Sequence, residues 1–286
     1  MSEKKHKRLG RSLGGDIALI ICVLLFASVM ALPMIYVVGN AFKPYEELFK
    51  FPPAFFVKNP TLDNFKDMMN VTTSSWVPMA RYIFNTVFIT AIGSVAQIIF
   101  ATCAAYAITK FNFPGNKFLF KMVVYSLMFS PVVTSVPRYI VFSQIEIIDT
   151  YWAILIPAAQ STMGLYLMKQ FMEQMLPDSI LEAARIDGAG EMRIIFSIAM
   201  PLLKPAWLTL AILSIQALWN TTGGTYIYSE ELKTLPDALH NIIASGVSRT
   251  GVGAAVQVIM MLVPILTFLI SQSNIMQTMA TSGMKD

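Results

Sequence analysis

Six long hydrophobic stretches without any Asp, Glu, Lys or Arg divide the chain: 17–42, 82–109, 122–137, 150–168, 205–229 and 250–284. A transmembrane helix needs about 20 mostly apolar residues. Five stretches suffice outright, and the third suffices if Arg138 lies inside or at the edge of its span. Because backbone polar groups in lipid must be hydrogen-bonded within their own segment, we predict an all-α polytopic membrane protein with six transmembrane helices. We place these helices at about 17–38, 83–108, 118–144, 151–171, 202–222 and 252–273.

Composition and charge support this prediction and orient it. Hydrophobic residues make up 55% of the chain and charged residues 13%, whereas a soluble domain carries about a quarter charged residues. A basic segment ending at Arg11 precedes the first span without a cleavage site, so we expect an uncleaved span. With the N-terminus inside, the larger share of the 21 Lys and Arg residues is cytoplasmic, as the positive-inside rule requires. Both termini are therefore expected in the cytoplasm.

The domain organisation follows from this topology. Residues 1–16 form a basic cytoplasmic tail, 17–276 a single six-span domain, and 277–286 a second cytoplasmic tail. Within the domain we predict an outer loop at 40–80, after Gly39-Asn40 end the first helix, and a cytoplasmic loop at 173–201.

The cytoplasmic loop is predicted to fold as a helix, a glycine turn and a second helix. Ser179 and Glu182 have the spacing of a capping box, and Gly188 can end the first helix in a left-handed conformation. The second helical run, Glu191–Met200, is interrupted by Pro201. Because the first helix is too short to be stable alone, we expect it to dock against a partner through a face of small side chains, Ala183 and Ala184.

The loop also resembles a known family motif. Glu182-Ala183-Ala184, Gly188 after three residues, Ile198 after nine more and then Pro201 resemble the EAA loop of ABC importer permeases, with Met200 where the family has Leu. The run 185–189 (Arg-Ile-Asp-Gly-Ala) is similar to the carbohydrate-importer version, as in the maltose-type second permease subunit. In that family the loop is the cytoplasmic coupling helix, which sits in a cleft of the ATP-hydrolysing subunit.

The resemblance implies a type I ABC importer permease fold and an assembly around it. It assigns the ATPase-coupling role to Glu182, Ala183, Ala184, Asp187, Gly188 and Pro201. It also implies the partners: a second homologous permease subunit, two ATP-binding subunits that hold ATP and Mg²⁺, and an extracytoplasmic solute-binding protein that delivers a saccharide. The location implied is the bacterial plasma (inner) membrane, with lipid around the spans. The alternative interpretation of the loop is a plain amphipathic linker helix that Glu182 caps.

The chain itself offers no catalytic chemistry. It has no Walker-type phosphate loop, so we expect no ATP hydrolysis and no cofactor in this chain. Its two His and two Cys residues form no metal-ligand spacing. The basic tail beside a span is a topology signal, and we expect no nucleic acid partner.

Polar residues inside the spans are the candidates for a substrate pathway. Ser130, Thr134 and Arg138 share one helix face. Arg138 suits either a water-filled cavity or an interfacial position with its charge at the outer surface. Uncharged sugars suit hydroxyl, amide and aromatic groups, so we predict the following pathway residues: Arg138, Gln160, Tyr166, Trp219 and Asn220. Trp219 alone is equally typical of a membrane interface.

Together these features predict a pore-forming permease subunit of an ATP-driven importer, which moves an oligosaccharide from an external binding protein into the cytoplasm by alternating access. Two alternatives remain. An ion-driven secondary carrier is disfavoured because the spans contain no Asp or Glu. A membrane scaffold or receptor would not need polar side chains in the middle of three spans.

Overall fold

The computed structural model describes residues 13–70, 77–244, 246 and 249–282, and every regular element among them is helical. The α-helices are α1 (Leu13–Phe42), α2 (Tyr45–Leu48), α3 (Asp63–Asn70), α4 (Met79–Lys110), α5 (Asn116–Ser126), α6 (Pro131–Gln144), α7 (Trp152–Ala159), α8 (Thr162–Met175), α9 (Asp178–Ile186), α10 (Glu191–Ile194), α11 (Met200–Leu202), α12 (Lys204–Trp219), α13 (Leu235–Ala244) and α14 (Thr250–Ser282). A π-helix spans Ile195–Ala199, and 3₁₀ turns span Gly224–Tyr226 and Glu230–Leu232.

Three helices of the described part are long and apolar enough to cross a membrane: Gly14–Phe42, Met79–Lys110 and Thr250–Gln272. They match the first, second and sixth predicted spans. A fourth span results if Glu191–Leu202 and Lys204–Trp219, which meet at 86°, are taken as one bent span. The all-α fold is confirmed, whereas the number of six spans stays a prediction.

The third and fourth predicted spans are each broken into two helices, which corrects the continuous helices expected there. Pro131 begins α6, and the residue before a proline avoids the helical conformation, so Ser130 is extended and its hydroxyl accepts from the Val132 N–H. Between α7 and α8, Gln160 is extended and the Ser161 hydroxyl accepts from the Gly164 N–H at 2.9 Å. Each break is therefore closed by a serine N-cap.

The first helix is longer than predicted. The sequence placed its end at Gly39-Asn40, but α1 continues to Phe42. The reason lies in α3: the buried side-chain amide of Asn64 donates to the carbonyls of Ala41 (3.0 Å) and Lys43 (2.7 Å). These bonds satisfy carbonyl groups that a helix end otherwise leaves without partners.

Helix α4 is the central element, because it contributes to all three hydrophobic clusters. One cluster joins α4 and α8 to the segment from α9 to α12. A second joins α4 to α1, α3, α13 and α14, and a third joins α4 to α6 and α7. The first cluster positions the loop that carries the family-like motif.

Candidate functional site

Helix α9 buries one face and exposes the other. Leu181 and Ala184 are buried in the first cluster. On the opposite side Glu182 and Ala183 are exposed, and the Ile186 side chain is 86% exposed. This corrects the prediction that Ala183 and Ala184 share a docking face, since Ala184 packs inward. The outward face of α9 is thus formed by Glu182, Ala183 and Ile186.

The start of α9 is held by a charge pair instead of the predicted capping box. The helix begins at Asp178, one residue before Ser179, and its N-cap Pro177 makes no side-chain cap. The Lys110 ammonium at the end of α4 donates to the Asp178 carboxylate at 2.7 Å and to the Leu176 carbonyl at 2.6 Å. The hydrogen bond from Lys110, together with its positive charge, lowers the pKa of the Asp178 carboxyl below its usual range. Within the described residues Glu182 makes no hydrogen bond or ion pair, so its carboxylate is available to a partner.

The end of α9 confirms the predicted glycine turn. Gly188 has φ +80°, and its N–H donates to the Arg185 carbonyl at 3.0 Å. The Ala189 N–H donates to the Ala184 carbonyl, also at 3.0 Å. This pair of bonds is a Schellman motif, which ends a helix with a left-handed residue. Asp187 occupies the C-cap position and is exposed.

A hydrogen-bonded triad, formed by Arg185, Glu191 and Tyr106, connects both arms of the loop to α4. The Glu191 carboxylate accepts from the Tyr106 hydroxyl (2.7 Å) and from the Arg185 Nε (2.7 Å). An Arg185 guanidinium nitrogen lies 3.4 Å from the Tyr106 oxygen. Sequence reasoning missed the triad, because Tyr106 lies 85 residues before Glu191 and carries no local signal of the contact.

The second arm of the loop does not end at Pro201, which corrects the sequence prediction. After α10 the chain passes through the π-helix Ile195–Ala199 into α11, where Pro201 occupies a first-turn position. A proline is tolerated there because the N–H of that position needs no helical partner. The 86° bend instead falls at Leu203, which is buried in the first cluster. Nearby, the Trp207 indole N–H donates to the Met200 carbonyl at 3.0 Å.

Three of the predicted pathway residues lie in a helix break or on the helices that flank the breaks. Gln160 is exposed in the break between α7 and α8 and lines two neighbouring cavities of about 400 and 530 Å³. Arg138 lies on α6, half-buried, and makes no hydrogen bond or ion pair with any residue that the structure describes. The Tyr166 ring, on α8, stacks on the Phe120 ring at a centroid distance of 6.1 Å.

The remaining two pathway residues lie at the end of α12. Trp219 is only 4% exposed, and its indole N–H donates to the Met260 carbonyl of α14 at 2.9 Å. This geometry supports a packing role for Trp219, with no ring face open to a sugar. Asn220 is exposed and lines a different cavity, of about 370 Å³, beside α1 and α14. The structure therefore does not gather the five predicted residues around one cavity.

Comparison with known proteins identifies the family. Protein LplC of Bacillus subtilis (strain 168) is 30% identical over 220 residues, which cover 76% of this chain and 72% of LplC. The arabinooligosaccharides transport system permease protein AraQ of Halalkalibacterium halodurans is 25% identical over 263 residues, 91% of this chain and 92% of AraQ. The melibiose/raffinose/stachyose import permease protein MelC of Bacillus subtilis (strain 168) is 29% identical over 205 residues, 70% of this chain and 74% of MelC. No protein-family profile matches.

The fold comparison agrees with these relatives. A chain of a bacterial ABC transporter involved in the import of the acidic polysaccharide alginate superposes with a TM-score of 0.78 at 22% identity, over 92% of this chain and 98% of that chain. The protein is therefore a multi-pass bacterial membrane protein with the all-α fold of a type I ABC importer permease. It belongs to the carbohydrate-uptake family of ABC importer permease subunits, as the EAA-like loop predicted.

Proposed function

We propose that this chain is one of two pore-forming permease subunits in an ATP-driven importer. The importer takes an oligosaccharide from an extracytoplasmic binding protein and releases it in the cytoplasm by alternating access. The second permease subunit is a related chain, and two ATP-binding subunits hold ATP and Mg²⁺. The chain itself contributes the pathway and the coupling loop and carries out no hydrolysis. This assignment is supported by the relatives AraQ and MelC, whose names describe the transport of oligosaccharides.

The observation that carries the coupling role is the outward face of α9. Ile186 is 86% exposed on a helix of nine residues whose other face is buried in the first cluster. A single exposed apolar side chain does not by itself mark an interface, so the proposal rests on the position of this face within the EAA-like motif, whose loop docks into the ATP-hydrolysing subunit in ABC importer permeases. The charge pair at Asp178 and the triad at Arg185 fix both ends of α9 to α4. A movement of the docked ATPase would therefore be passed to a membrane-crossing helix.

In this proposal the residues of the loop have three roles. Glu182, Ala183 and Asp187 contact the ATPase, and Ala184 and Gly188 shape the helix. Pro201 lies in the arm that leads to α12.

For the substrate we propose a saccharide recognised by uncharged groups. Amide groups come from Gln160, in the break between α7 and α8, and from Asn220, at the end of α12. An aromatic ring comes from Tyr166 on α8. Arg138 joins this pathway as a cavity residue on the polar side of α6. Trp219 contributes indirectly, by holding α12 against α14. MelC and AraQ, which are named for oligosaccharides, support this class of substrate.

The proposed orientation places both termini in the cytoplasm. The tails 1–16 and 277–286 flank one six-span domain, with the loop 40–80 outside and the coupling loop 173–201 inside. Residues 1–12 and 283–286, which belong to the tails, lie outside the described residues.

The experiment that tests the function is purification of the chain from its native host in mild detergent, followed by mass spectrometry. We expect a second permease subunit and an ATP-binding subunit to accompany it. Recovery of the chain alone, stable and intact, would contradict the proposal and favour a secondary carrier or a scaffold.

A matched pair of variants tests whether the outward face of α9 contacts the ATP-binding subunit. Ile186→Ser should remove the apolar side chain at the centre of the outward face and strip the ATP-binding subunit from the complex. Ile180→Ser makes the same change on the flank of α9, where the side chain is 40% exposed, and should retain the subunit. Retention by both variants would show that the outward face of α9 is not the docking surface.

A further inference from the structure

Two cavities lie end to end between α1 and α14. The first has a volume of about 420 Å³ and is lined by Tyr36, Asn40, Arg249 and Thr250, among others. The second, of about 370 Å³, is lined largely by Met34, Met260, Met261 and Ile265. Gln257 lines both cavities, so the two adjoin at this residue and together make up the groove between α1 and α14.

The groove follows one side of each helix. On α14, lining positions 250, 254, 257, 261 and 265 recur every three or four residues, which places them on one helix face. On α1, Met34, Val37 and Asn40 have the same spacing. Among the described lining residues Arg249 is the one charged group, and it lies at the Asn40 end, whereas the second cavity is lined by Asn220, Gln257 and apolar side chains. The groove is therefore mostly apolar, with a positive charge at one end.

The polar end of the groove carries positive charge that is not neutralised within the described residues. Neither cavity is lined by an Asp or Glu, and neither Arg249 nor the neighbouring Lys43 forms an ion pair with a described residue. The Lys43 side chain is 2% exposed, and its ammonium donates to the Asn40 side-chain oxygen at 2.7 Å and to the Ala54 carbonyl at 2.5 Å. Lys43 is not among the described residues that line either cavity, so an anion in the groove would compensate the charge of Arg249.

An amide group that opens into the first cavity points to the same conclusion. Asn40 is only 7% exposed, and its side-chain oxygen is occupied by Lys43. Its amide nitrogen has no hydrogen-bond partner among the described residues, although Asn40 lines the first cavity. The first turn of α14 begins at the same cavity, where the helix dipole also favours a negative group.

We propose that the groove between α1 and α14 is a binding site for an anionic phospholipid. The phosphate lies between Arg249 and the Asn40 amide at the start of α14, and one acyl chain follows Met34, Met260, Met261 and Ile265. Asn220 lines the same second cavity, so the lipid borders the proposed saccharide pathway there. The unbranched methionine side chains can adapt to a flexible chain. Beside the groove, the surface of α1 is exposed and apolar, as at Met30 and Ile35, so the second acyl chain remains in the bilayer. Under the proposed orientation this is a site in the outer leaflet.

The test is native mass spectrometry of the purified importer complex, titrated with phosphatidylglycerol or with phosphatidylcholine of the same acyl chains. We expect phosphatidylglycerol to be retained and phosphatidylcholine to be lost. Arg249→Gln should weaken retention about tenfold, the effect of losing one charge-assisted hydrogen bond, whereas Arg249→Lys should retain most of it. Asn40→Asp keeps the oxygen that accepts from Lys43 and replaces the free amide with a carboxylate oxygen, so it should also weaken retention.

The control is Arg81→Gln, which removes an exposed arginine at the start of α4 and should leave retention unchanged. Equal retention of both lipids, or an unchanged titration for Arg249→Gln, would overturn the proposal. Competition by excess inorganic phosphate would also overturn it, because it would assign the groove to a free anion with no contribution from an acyl chain.

Discussion

At the scale of single residues, Gly188 shows how one position shapes the proposed coupling loop. Its φ of +80° lies in the left-handed region, where a residue with a Cβ is disfavoured by roughly 1–2 kcal/mol. A Cβ built on Gly188 meets no atom within 4 Å, so the cost of a substitution there is conformational and not steric. The sequence predicted this turn correctly because its signal is local: a glycine at the end of a short amphipathic helix.

We predict that Gly188→Val disrupts the Schellman turn and reduces ATP-driven uptake in proteoliposomes. The valine must either accept the strained conformation or unwind the end of α9, and both shift the outward face. Gly190→Val is the control, since Gly190 has φ −70° and ψ 154° and also has open space around its Cβ position. A β-branched residue is comfortable in that extended conformation. Equal uptake by the two variants would show that coupling does not depend on the turn.

At the scale of elements, the triad of Tyr106, Glu191 and Arg185 connects the loop to α4. We predict that Tyr106→Phe, which removes only a hydroxyl group, lowers the saccharide imported per ATP hydrolysed while the ATP-binding subunit stays attached. The lost bond contributes about 0.5–1.5 kcal/mol, and more if the Glu191 carboxylate is left without its partner. Uptake and ATP hydrolysis should be measured in the same proteoliposomes.

A second variant and the double variant test the same hydrogen-bonded triad. Glu191→Ala, which removes the carboxylate that accepts from Tyr106 and Arg185, should lower coupling at least as much. The double variant should lose less than the sum of the two single losses, because both changes remove the Tyr106–Glu191 hydrogen bond. Tyr125→Phe on α5 is the control, since that tyrosine is exposed. Unchanged coupling in Tyr106→Phe, or strictly additive losses, would contradict a coupling role for the triad.

The elements also show where sequence reasoning succeeds and where it fails. The end of α9 was predictable because the signal of the Gly188 turn is local. Its start was predicted to within a residue, but the Lys110–Asp178 pair holds it and not the predicted capping box. The breaks at Ser130 and Gln160-Ser161 were not predicted, because a hydropathy pattern averages over a whole span and outweighs the signals of Pro131 and Ser161. The extension of α1 depends on Asn64, which comes from a separate helix. The triad likewise joins residues that only the tertiary structure brings together.

At the scale of the whole molecule, the surfaces of α1 and α6 differ in a way that indicates different neighbours. The first half of α1 is uniformly apolar and exposed from Ile17 to Leu25, as expected for contact with lipid. Helix α6 instead has two opposite faces. Ser130, at its N-cap, begins a polar face that continues through Thr134 and Arg138, whereas the other face is an exposed apolar stripe formed by Val132, Val136 and Ile140. A helix with one polar and one apolar face fits between a pathway and a second subunit.

We predict that the apolar stripe of α6 contacts the second permease subunit. A photoreactive amino acid, p-benzoylphenylalanine, placed at Val136 should form a protein adduct with the mass of two permease chains when the complex is irradiated in membranes. The same amino acid at Leu24, which is 60% exposed on α1, should give no such adduct because it faces lipid. Both positions are exposed and apolar, so a difference between their adducts reports a difference in the neighbouring molecule. An adduct from Leu24 and none from Val136, in a complex that still contains both permease subunits, would place the subunit interface on α1 and leave α6 facing the bilayer.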